Sequence, residues 1–191
     1  MIQDRPEAHL INKTEVAFAG RIWNVVRETF EYPGGELTRE FVAHPGAVAV
    51  VAVDDQMRVL MISQYRHPVR EVLWEVPAGL RDVAGEADVD AARRELFEET
   101  GYIADTMEPL IEFYTTPGGN DEKISIFLAR GLKWQGHDLK LDGEETELGV
   151  EWVPLNEAVQ SVLASKIKSP TAAVGLMALA LKWGPNAAAS E

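Results

Sequence analysis

Three glutamates at helical spacing are the most chemically suggestive group in this sequence. Glu95 and Glu99 are four positions apart and Glu98 follows Glu95 by three, so in a helix the three carboxylates project from one face. Like charges placed in this way repel, by roughly a few tenths of a kcal/mol per pair. A hard divalent cation, which prefers oxygen ligands, would remove that repulsion. The spacing therefore favours a cation site; the alternative is a solvated helix face.

The residues around the glutamates favour an anionic ligand. Arg94 lies four positions before Glu98 and can pair with it, which would leave Glu95 and Glu99 available to a cation. The glycines of segment 79–86 let the backbone approach a ligand closely, and the helix N-terminus that follows favours anions. Together these features predict metal-assisted chemistry on a phosphorylated substrate.

The composition limits the kinds of partner. The 191 residues carry a formal net charge of -13, which would repel nucleic acid and anionic membranes, so we expect neither as a partner. The absence of cysteine excludes disulfides, thiolate metal sites and a cysteine nucleophile. No apolar run reaches the roughly 18 to 20 residues of a membrane span, and the N-terminus lacks the pattern of a secretion signal. We therefore expect a cytoplasmic protein.

The elements that would position these residues follow from hydrophobic periodicity and turn residues. A helix from Asp88 to Gly101 should carry the glutamates, and two helices, 155–166 with Leu163 facing inward and 171–183, should close the chain. The predicted strands are 16–18, 22–32, 37–43, 47–53, 58–65, 72–76, 107–114, 123–128 and 149–153. The expected fold class is therefore mixed α/β (α+β), opening with an antiparallel β segment.

The segment from Gly79 to Tyr102 resembles the signature of the Nudix family, G-x5-E-x7-R-E-U-x-E-E-x-G-U, where U is apolar. Every specified position from Glu86 through Gly101 matches, and Tyr102 takes the last apolar position. Six residues instead of five separate Gly79 from Glu86, so the loop carries one extra residue. The resemblance implies a Nudix α/β/α sandwich with a mixed sheet and a hydrolase activity.

Residues from about 20 to 153 also resemble the bacterial ADP-ribose pyrophosphatases. In the segment 116–122, Pro117 lies sixteen residues after Gly101, close to where that subfamily places a proline, although Pro-Gly-Gly alone indicates only a turn. The resemblance implies hydrolysis of the pyrophosphate bond of ADP-ribose to AMP and ribose 5-phosphate. The alternative substrates are other nucleoside diphosphate sugars such as GDP-mannose and ADP-glucose. The alternative of another class is a noncatalytic Nudix module that senses nucleotides.

The same resemblance implies a metal site and a base. The implied Mg2+ ligands, with Mn2+ as a substitute ion, are the backbone carbonyl of Ala78 and the carboxylates of Glu95, Glu98 and Glu99, of which Glu98 would contact a second ion. Glu145 would be the catalytic base that positions the attacking water. Glu144 and Glu147 are its rivals, and a flexible charged loop is the other interpretation of this acidic segment.

Substrate contacts are implied along much of the chain. They are Trp23, Arg39, Arg66, Leu80, Thr116, Gly118 and Glu122. Trp23 would stack on adenine, and core packing is its alternative role. Arg39 and Arg66 would neutralise the substrate phosphates, and a surface ion pair is the alternative for each. We interpret His44 and His67 as structural or rim groups.

The resemblance finally implies a homodimer whose N-terminal strands pack across a two-fold axis. We expect residues 1–44 to form a β segment for dimerisation and substrate contacts, residues 45–185 to form the Nudix hydrolase domain, and residues 186–191 to form a loose tail. Trp23 and Arg39 would then serve the neighbouring subunit, and an isolated monomer should bind substrate poorly.

Overall fold

The computed structural model describes residues 2–136 and 148–183, so the predicted loose tail 186–191 lies outside the described residues. The strands are β1 Ile11–Ala19, β2 Asn24–Tyr32, β3 Gly35–Ala43, β4 Ala47–Ala52, β5 Arg58–Arg66, β6 Glu71–Glu75, β7 Ala78–Leu80, β8 Tyr102–Tyr114, β9 Lys123–Trp134 and β10 Gly149–Pro154. The helices are α1 Asp88–Thr100, α2 Leu155–Leu163 and α3 Pro170–Trp183. Among the described residues, no helix has the length and apolarity to cross a membrane.

The chain divides into two compact units. We call Met1–Pro45 with Tyr114–Glu122 the N-terminal unit, and Gly46–Phe113 with Lys123–Glu191 the sandwich unit. The turn segment 114–122, which is distant in sequence from the first strands, therefore groups with them.

The N-terminal unit contains a three-stranded antiparallel sheet in the order β1-β2-β3. The β2–β3 hairpin turns at Gly34 and Gly35, whose φ angles of 104° and 132° suit glycine and strain other residues. Exposed polar side chains pair across the strands, and Arg27 donates to Glu15 at 2.8 Å and to Glu40 at 2.7 Å. Arg27 of β2 thus links all three strands through ion pairs at the surface.

Strand β4 is the centre of the sandwich unit because all six of its residues are buried. Side chains alternate across a strand. Ala49 and Val51 accordingly enter the core cluster that contains residues of α2 and α3, whereas Val48 and Val50 enter the cluster that contains residues of α1. Helices therefore cover both sides of β4, as a sandwich requires.

The sheets of the sandwich unit confirm the predicted mixed α/β class. One sheet has the order β7-β4-β9-β8, in which β4 is parallel to β9 and antiparallel to β7. The other sheet has the order β10-β5-β6 and is antiparallel. Both strands of the parallel pair contribute to the core, β4 with Ala49 and Val51 and β9 with Ile126 and Leu128.

The structure differs from the predicted elements in several places, among them the start of β1 at Ile11 and the end of β9 at Trp134. Strand β7 was missed, because Pro77-Ala78-Gly79 has the composition of a turn and becomes a strand only by pairing with β4. Strand β8 begins at Tyr102 rather than at residue 107. Helix α2 ends at Leu163 rather than at residue 166, and the prediction that Leu163 faces inward was wrong, since it is 63% exposed. The chain leaves α2 through Ser165, whose φ is 58°.

Candidate active site

Helix α1 presents its three glutamates at different depths. Ala92 and Leu96 are buried in the cluster that they share with β4, and this fixes which face of α1 meets the sheet. Glu99 is 7% exposed. The Glu95 side chain is 13% exposed and that of Glu98 is 44% exposed. The carboxylates therefore range from buried to solvent-facing along one side of the helix.

Strand β7 places backbone directly against two of these glutamates. The Ala78 N–H donates to Glu99 Oε2 at 2.9 Å. A Cβ atom on Gly79 would lie 2.0 to 2.3 Å from the carboxylate atoms of Glu95, so a side chain at this position is excluded while Glu95 keeps its place. Leu80 completes β7 opposite Ala47 of β4. The strand that sequence analysis missed thus holds the main chain of Ala78 and Gly79 beside the acidic face of α1.

Arg94 connects Glu86 with the glutamates of α1. Its Nε and Nη2 donate to the two Glu86 oxygens at 3.1 and 3.0 Å. Its Nη1 donates to Glu95 Oε1 at 2.6 Å and to Glu98 Oε2 at 3.1 Å. The predicted pair with Glu98 is confirmed. Arg94 also pairs with Glu95, which the sequence analysis expected to be available to a cation, because a guanidinium has five donors in a fixed fork and here reaches three carboxylates.

These contacts shift the pKa values of the groups involved. Hydrogen bonds from Arg94 hold the pKa of Glu86 below its usual value, and Glu86 in turn raises the pKa of Arg94. Burial raises the pKa of Glu95, Arg94 opposes that shift, and the neighbouring charges of Glu98 and Asp82 add to it. A cation in contact with the Glu95 carboxylate would favour its charged form.

The donor set fits a cation that is only partly ligated by protein side chains. Within residues 2–136 and 148–183, no group of three or more His, Asp or Glu side chains is arranged to hold a metal ion. Mg2+ in phosphate chemistry typically uses one or two carboxylates and completes its octahedron with water and substrate oxygens. Glu95 and Glu99 can supply that number, and the lack of a side chain on Gly79 lets the Glu95 carboxylate lie against the backbone of β7.

Arg66, a predicted phosphate contact, ends β5 in a two-pronged ion pair with Glu75 of β6. Its Nε donates to Glu75 Oε1 at 3.0 Å and its Nη2 to Oε2 at 2.7 Å. Glu75 is 8% exposed, whereas the Arg66 side chain is 39% exposed. A buried acid therefore orients a half-exposed guanidinium. Sequence analysis missed Glu75, whose only signal is an acidic residue at the end of an apolar strand.

The predicted substrate contacts Thr116, Gly118 and Glu122 lie in the N-terminal unit, in the turn after β8. The Thr116 carbonyl accepts the Gly119 N–H at 2.9 Å, which closes the turn. Glu122 Oε2 accepts the Thr115 hydroxyl at 2.7 Å. A Cβ on Gly118 would meet nothing within 4 Å, so packing does not require glycine there.

Trp23 and Arg39 also belong to the N-terminal unit. Trp23 is 40% exposed and stacks on His44, with ring centroids 4.5 Å apart and an interplanar angle of 20°. This exposure is too high for a residue of a packed core. Arg39 is exposed on β3 opposite Glu28 of β2, and its Nη1 donates to the Thr38 carbonyl at 2.8 Å.

The acidic segment that was predicted to supply the base lies outside the described residues. This applies to Glu145 and to its rivals Glu144 and Glu147.

In the sandwich unit the structure brings together Ala78, Gly79, Glu86, Arg94, Glu95, Glu98 and Glu99.

Comparison with known proteins agrees with this geometry. The family model of the NUDIX domain matches residues 43–173. An ADP-ribose pyrophosphatase of Mycobacterium tuberculosis is 41% identical over 167 residues, which cover 87% of this chain and 80% of the relative. A methanol dehydrogenase activator of Bacillus methanolicus is 38% identical over 171 residues, which cover 89% of this chain and 91% of the relative.

The fold has a counterpart among solved structures. The crystal structure of an ADP compounds hydrolase superposes with a TM-score of 0.72 and covers 94% of this chain and 97% of that one. At 23% identity this likeness shows the fold alone. The glutamates of α1 lie beside Gly79 of β7, the family model matches most of the chain, and one relative is 41% identical. These observations show that this chain belongs to the Nudix family.

Proposed function

We propose that the chain is a pyrophosphohydrolase that cleaves ADP-ribose into AMP and ribose 5-phosphate with a divalent cation. Membership of the Nudix family and the 41% identity to an ADP-ribose pyrophosphatase support the reaction and the substrate. The single observation that carries the proposal is a pair of carboxylates, the buried Glu99 and the partly buried Glu95, that lie against the backbone of β7 at Ala78 and Gly79.

The cation would be held at the meeting of α1 and β7. We assign the Ala78 carbonyl, Glu95 and Glu99 as ligands of Mg2+, with Mn2+ as a substitute, and Glu98 as a contact to a second ion. Such a cation supplies charge stabilisation at the phosphoryl oxygens and lowers the pKa of water. Arg94 positions Glu95 and Glu98 through the hydrogen bonds at 2.6 and 3.1 Å.

The remaining steps belong to residues of the chain. Glu145 takes the proton from the attacking water as that water adds to one phosphorus atom and the bridging P–O bond breaks. Arg39 and Arg66 pair with the negative oxygens of the diphosphate, and Trp23 stacks on the adenine. Further substrate contacts are Leu80, Thr116, Gly118 and Glu122. Two phosphomonoesters leave, and no covalent intermediate with the protein is needed.

We further propose that the protein acts as a homodimer in the cytoplasm. Residues 1–44 would form the dimerisation and substrate-contact segment, and residues 45–185 the hydrolase domain. The exposed apolar side chains of β1, Val16 at 56% and Phe18 at 65%, support a contact with a second copy. In this arrangement Trp23 and Arg39 serve the neighbouring subunit.

The test is a hydrolysis assay of the purified protein with Mg2+ on ADP-ribose, GDP-mannose, ADP-glucose, NADH and nucleoside triphosphates. ADP-ribose should give the highest kcat/KM, and EDTA should abolish turnover. Glu99→Gln should lower kcat/KM by more than about 100-fold, because even an outer partner of a metal ligand is worth about 10- to 100-fold. Glu108→Gln, at an exposed glutamate of β8, is the matched control.

Each alternative has its own outcome. A preference for GDP-mannose or ADP-glucose would replace the substrate and keep the reaction class. Full activity of Glu99→Gln or in EDTA would refute the metal assignment. The alternative of another class is a noncatalytic Nudix module that senses nucleotides. Nucleotide binding without turnover on any substrate would favour that role.

A further inference from the structure

The exposed ring of Trp23 rests on a histidine that is buried beneath it. The His44 side chain is 7% exposed, and its ring is nearly parallel to the indole, with a centroid distance of 4.5 Å. Trp23 itself is 40% exposed. The buried His44 ring thus packs against the Trp23 ring, which remains accessible to solvent.

His44 is held in place from two sides. Its Nε2 lies 3.3 Å from Glu122 Oε1, and its backbone N–H donates to Asp121 Oδ1 at 2.7 Å. Glu122 is fixed in turn, since its other oxygen accepts the Thr115 hydroxyl at 2.7 Å. The turn that follows β8 therefore holds the imidazole ring through Glu122 and the backbone of His44 through Asp121.

The backbone of Trp23 is constrained as well. The Gly20 N–H donates to the Trp23 carbonyl at 3.0 Å and closes a tight turn before β2. A Cβ on Gly20 would lie 2.2 Å from that carbonyl oxygen, so this turn accepts only glycine. Trp23 is thus restrained at its main chain by Gly20 and at its ring by His44.

We infer that His44 is a positioning residue that, fixed by Glu122, holds the Trp23 indole in the orientation in which it stacks on the base of the substrate. A ring ordered before binding loses less conformational freedom when it captures its ligand, so affinity rises without any new contact. The inference rests on the proposed stacking role of Trp23. It gives Glu122 a task in addition to the proposed substrate contact, because Glu122 also acts through His44.

The first test measures the order of Trp23 without any substrate. The chain has five tryptophans, so the time-resolved fluorescence anisotropy of each protein is compared with that of its Trp23→Phe counterpart, which isolates the signal of Trp23. His44→Ala should increase the local motion of Trp23, and His44→Phe should restore most of its order. His9→Ala is the matched control, since His9 also contacts aromatic rings in the N-terminal unit.

The second test uses steady-state kinetics on ADP-ribose. His44→Ala should raise KM about three- to tenfold, the fold-change that corresponds to one aromatic pair, with kcat changed less than about twofold. His44→Phe should recover most of the loss, and Glu122→Gln should show a smaller increase in KM. Thermal unfolding of each variant confirms that it is folded.

The two tests separate this inference from the proposed function. Unchanged anisotropy and unchanged KM in His44→Ala, or a loss in kcat alone, would overturn the positioning role even if ADP-ribose is the substrate. Increased Trp23 motion in a protein that does not hydrolyse ADP-ribose would support the positioning role and overturn the proposed substrate.

Discussion

At the scale of single residues, the candidate site depends on one position that has no side chain. The Glu95 carboxylate occupies the space where any other residue at position 79 would place its Cβ. Burial disfavours the charge on Glu95, and the Arg94 guanidinium at 2.6 Å partly offsets that cost. The position of the Glu95 carboxylate therefore depends on the lack of a side chain at Gly79, and its charge is stabilised by Arg94.

Replacement of Gly79 by alanine should displace Glu95. The added methyl group would lie 2.0 to 2.3 Å from the carboxylate atoms, which are the end of a flexible side chain, so Glu95 should turn aside and lose its hydrogen bond from Arg94, at a cost of about 1 kcal/mol. Urea unfolding measures this cost. In a Glu95→Ala background the same substitution should cost much less, and an equal cost in both backgrounds would show that the clash is not with Glu95.

Arg94 should matter for metal activation in a way that lysine cannot replace. The single ammonium group of a lysine cannot donate to both oxygens of Glu86 and at the same time reach Glu95 and Glu98. We expect Arg94→Lys to raise the Mg2+ concentration for half-maximal activity about tenfold or more, the usual effect of losing a partner that orients a metal ligand. Arg93→Lys, at the neighbouring arginine that donates to the Ala104 carbonyl, is the control. An equal response to Mg2+ in both variants would remove Arg94 from this role.

At the scale of elements, the packing of α3 on β4 requires a close approach. Gly175 of α3 is buried, and a Cβ there would lie 2.7 Å from Val51 Cγ2. Glycine is a poor helix former, so its presence inside α3 indicates that the close packing against Val51 outweighs the loss in helix propensity. The distance between α3 and the central strand is therefore set by this glycine.

The substitution Gly175→Ala sets two effects against each other. Helix propensity favours alanine by about 1 kcal/mol, whereas overpacking costs about 1 to 3 kcal/mol, so we expect a net loss of stability of about 1 kcal/mol. In a Val51→Ala background, where the clashing methyl group is absent, Gly175→Ala should become stabilising. Chemical denaturation of the four proteins gives the coupling, and a stabilising effect in the wild-type background would contradict the packing argument.

At the scale of the whole molecule, the net charge of -13 sets a requirement for the site. The overall field repels an anionic substrate, so binding depends on arginines and a cation that invert the potential locally. The N-terminal unit adds an exposed apolar surface on β1 that a second copy would cover. The net charge is consistent with the proposed cation, and the exposed apolar side chains of β1 are consistent with the proposed contact to a second copy.

The dimer proposal predicts the molecular mass of two chains in solution. Light scattering should give twice the 21.1 kDa mass of one chain, and Phe18→Glu should reduce it to one chain, because burying an unpaired carboxylate is costly. The same variant should raise KM for ADP-ribose. Leu181→Glu, at an apolar residue that is 78% exposed on α3, should leave the mass unchanged. A wild-type protein with the mass of one chain would refute the proposal.

Elements with local signals could be predicted before the fold was known. The helix that carries the glutamates, its end at Gly101 with a φ of 73°, and the pairing of Arg94 with Glu98 all follow from spacings of a few residues. The same local pattern, from Glu86 to Gly101, was sufficient to identify the family. Helix periodicity and capping act over one or two turns, so they can be recognised before the fold is known.

The tertiary structure alone decided which distant segments meet. It made 78–80 a strand by pairing it with β4, brought Glu75 beside Arg66, and placed His44 beneath Trp23 and beside Glu122. The pairing of β7 with β4 and the contact of His44 with Glu122 join segments that are far apart in the sequence, and no local pattern predicts them. Trp23 and His44, by contrast, lie one position beyond the pair Asn24 and Ala43 of the β2–β3 hairpin, so their contact follows once the hairpin register is known. All of these contacts exist because apolar burial around β4 and strand pairing in each unit fix the backbone first, and polar side chains then bond to whatever neighbours that backbone provides.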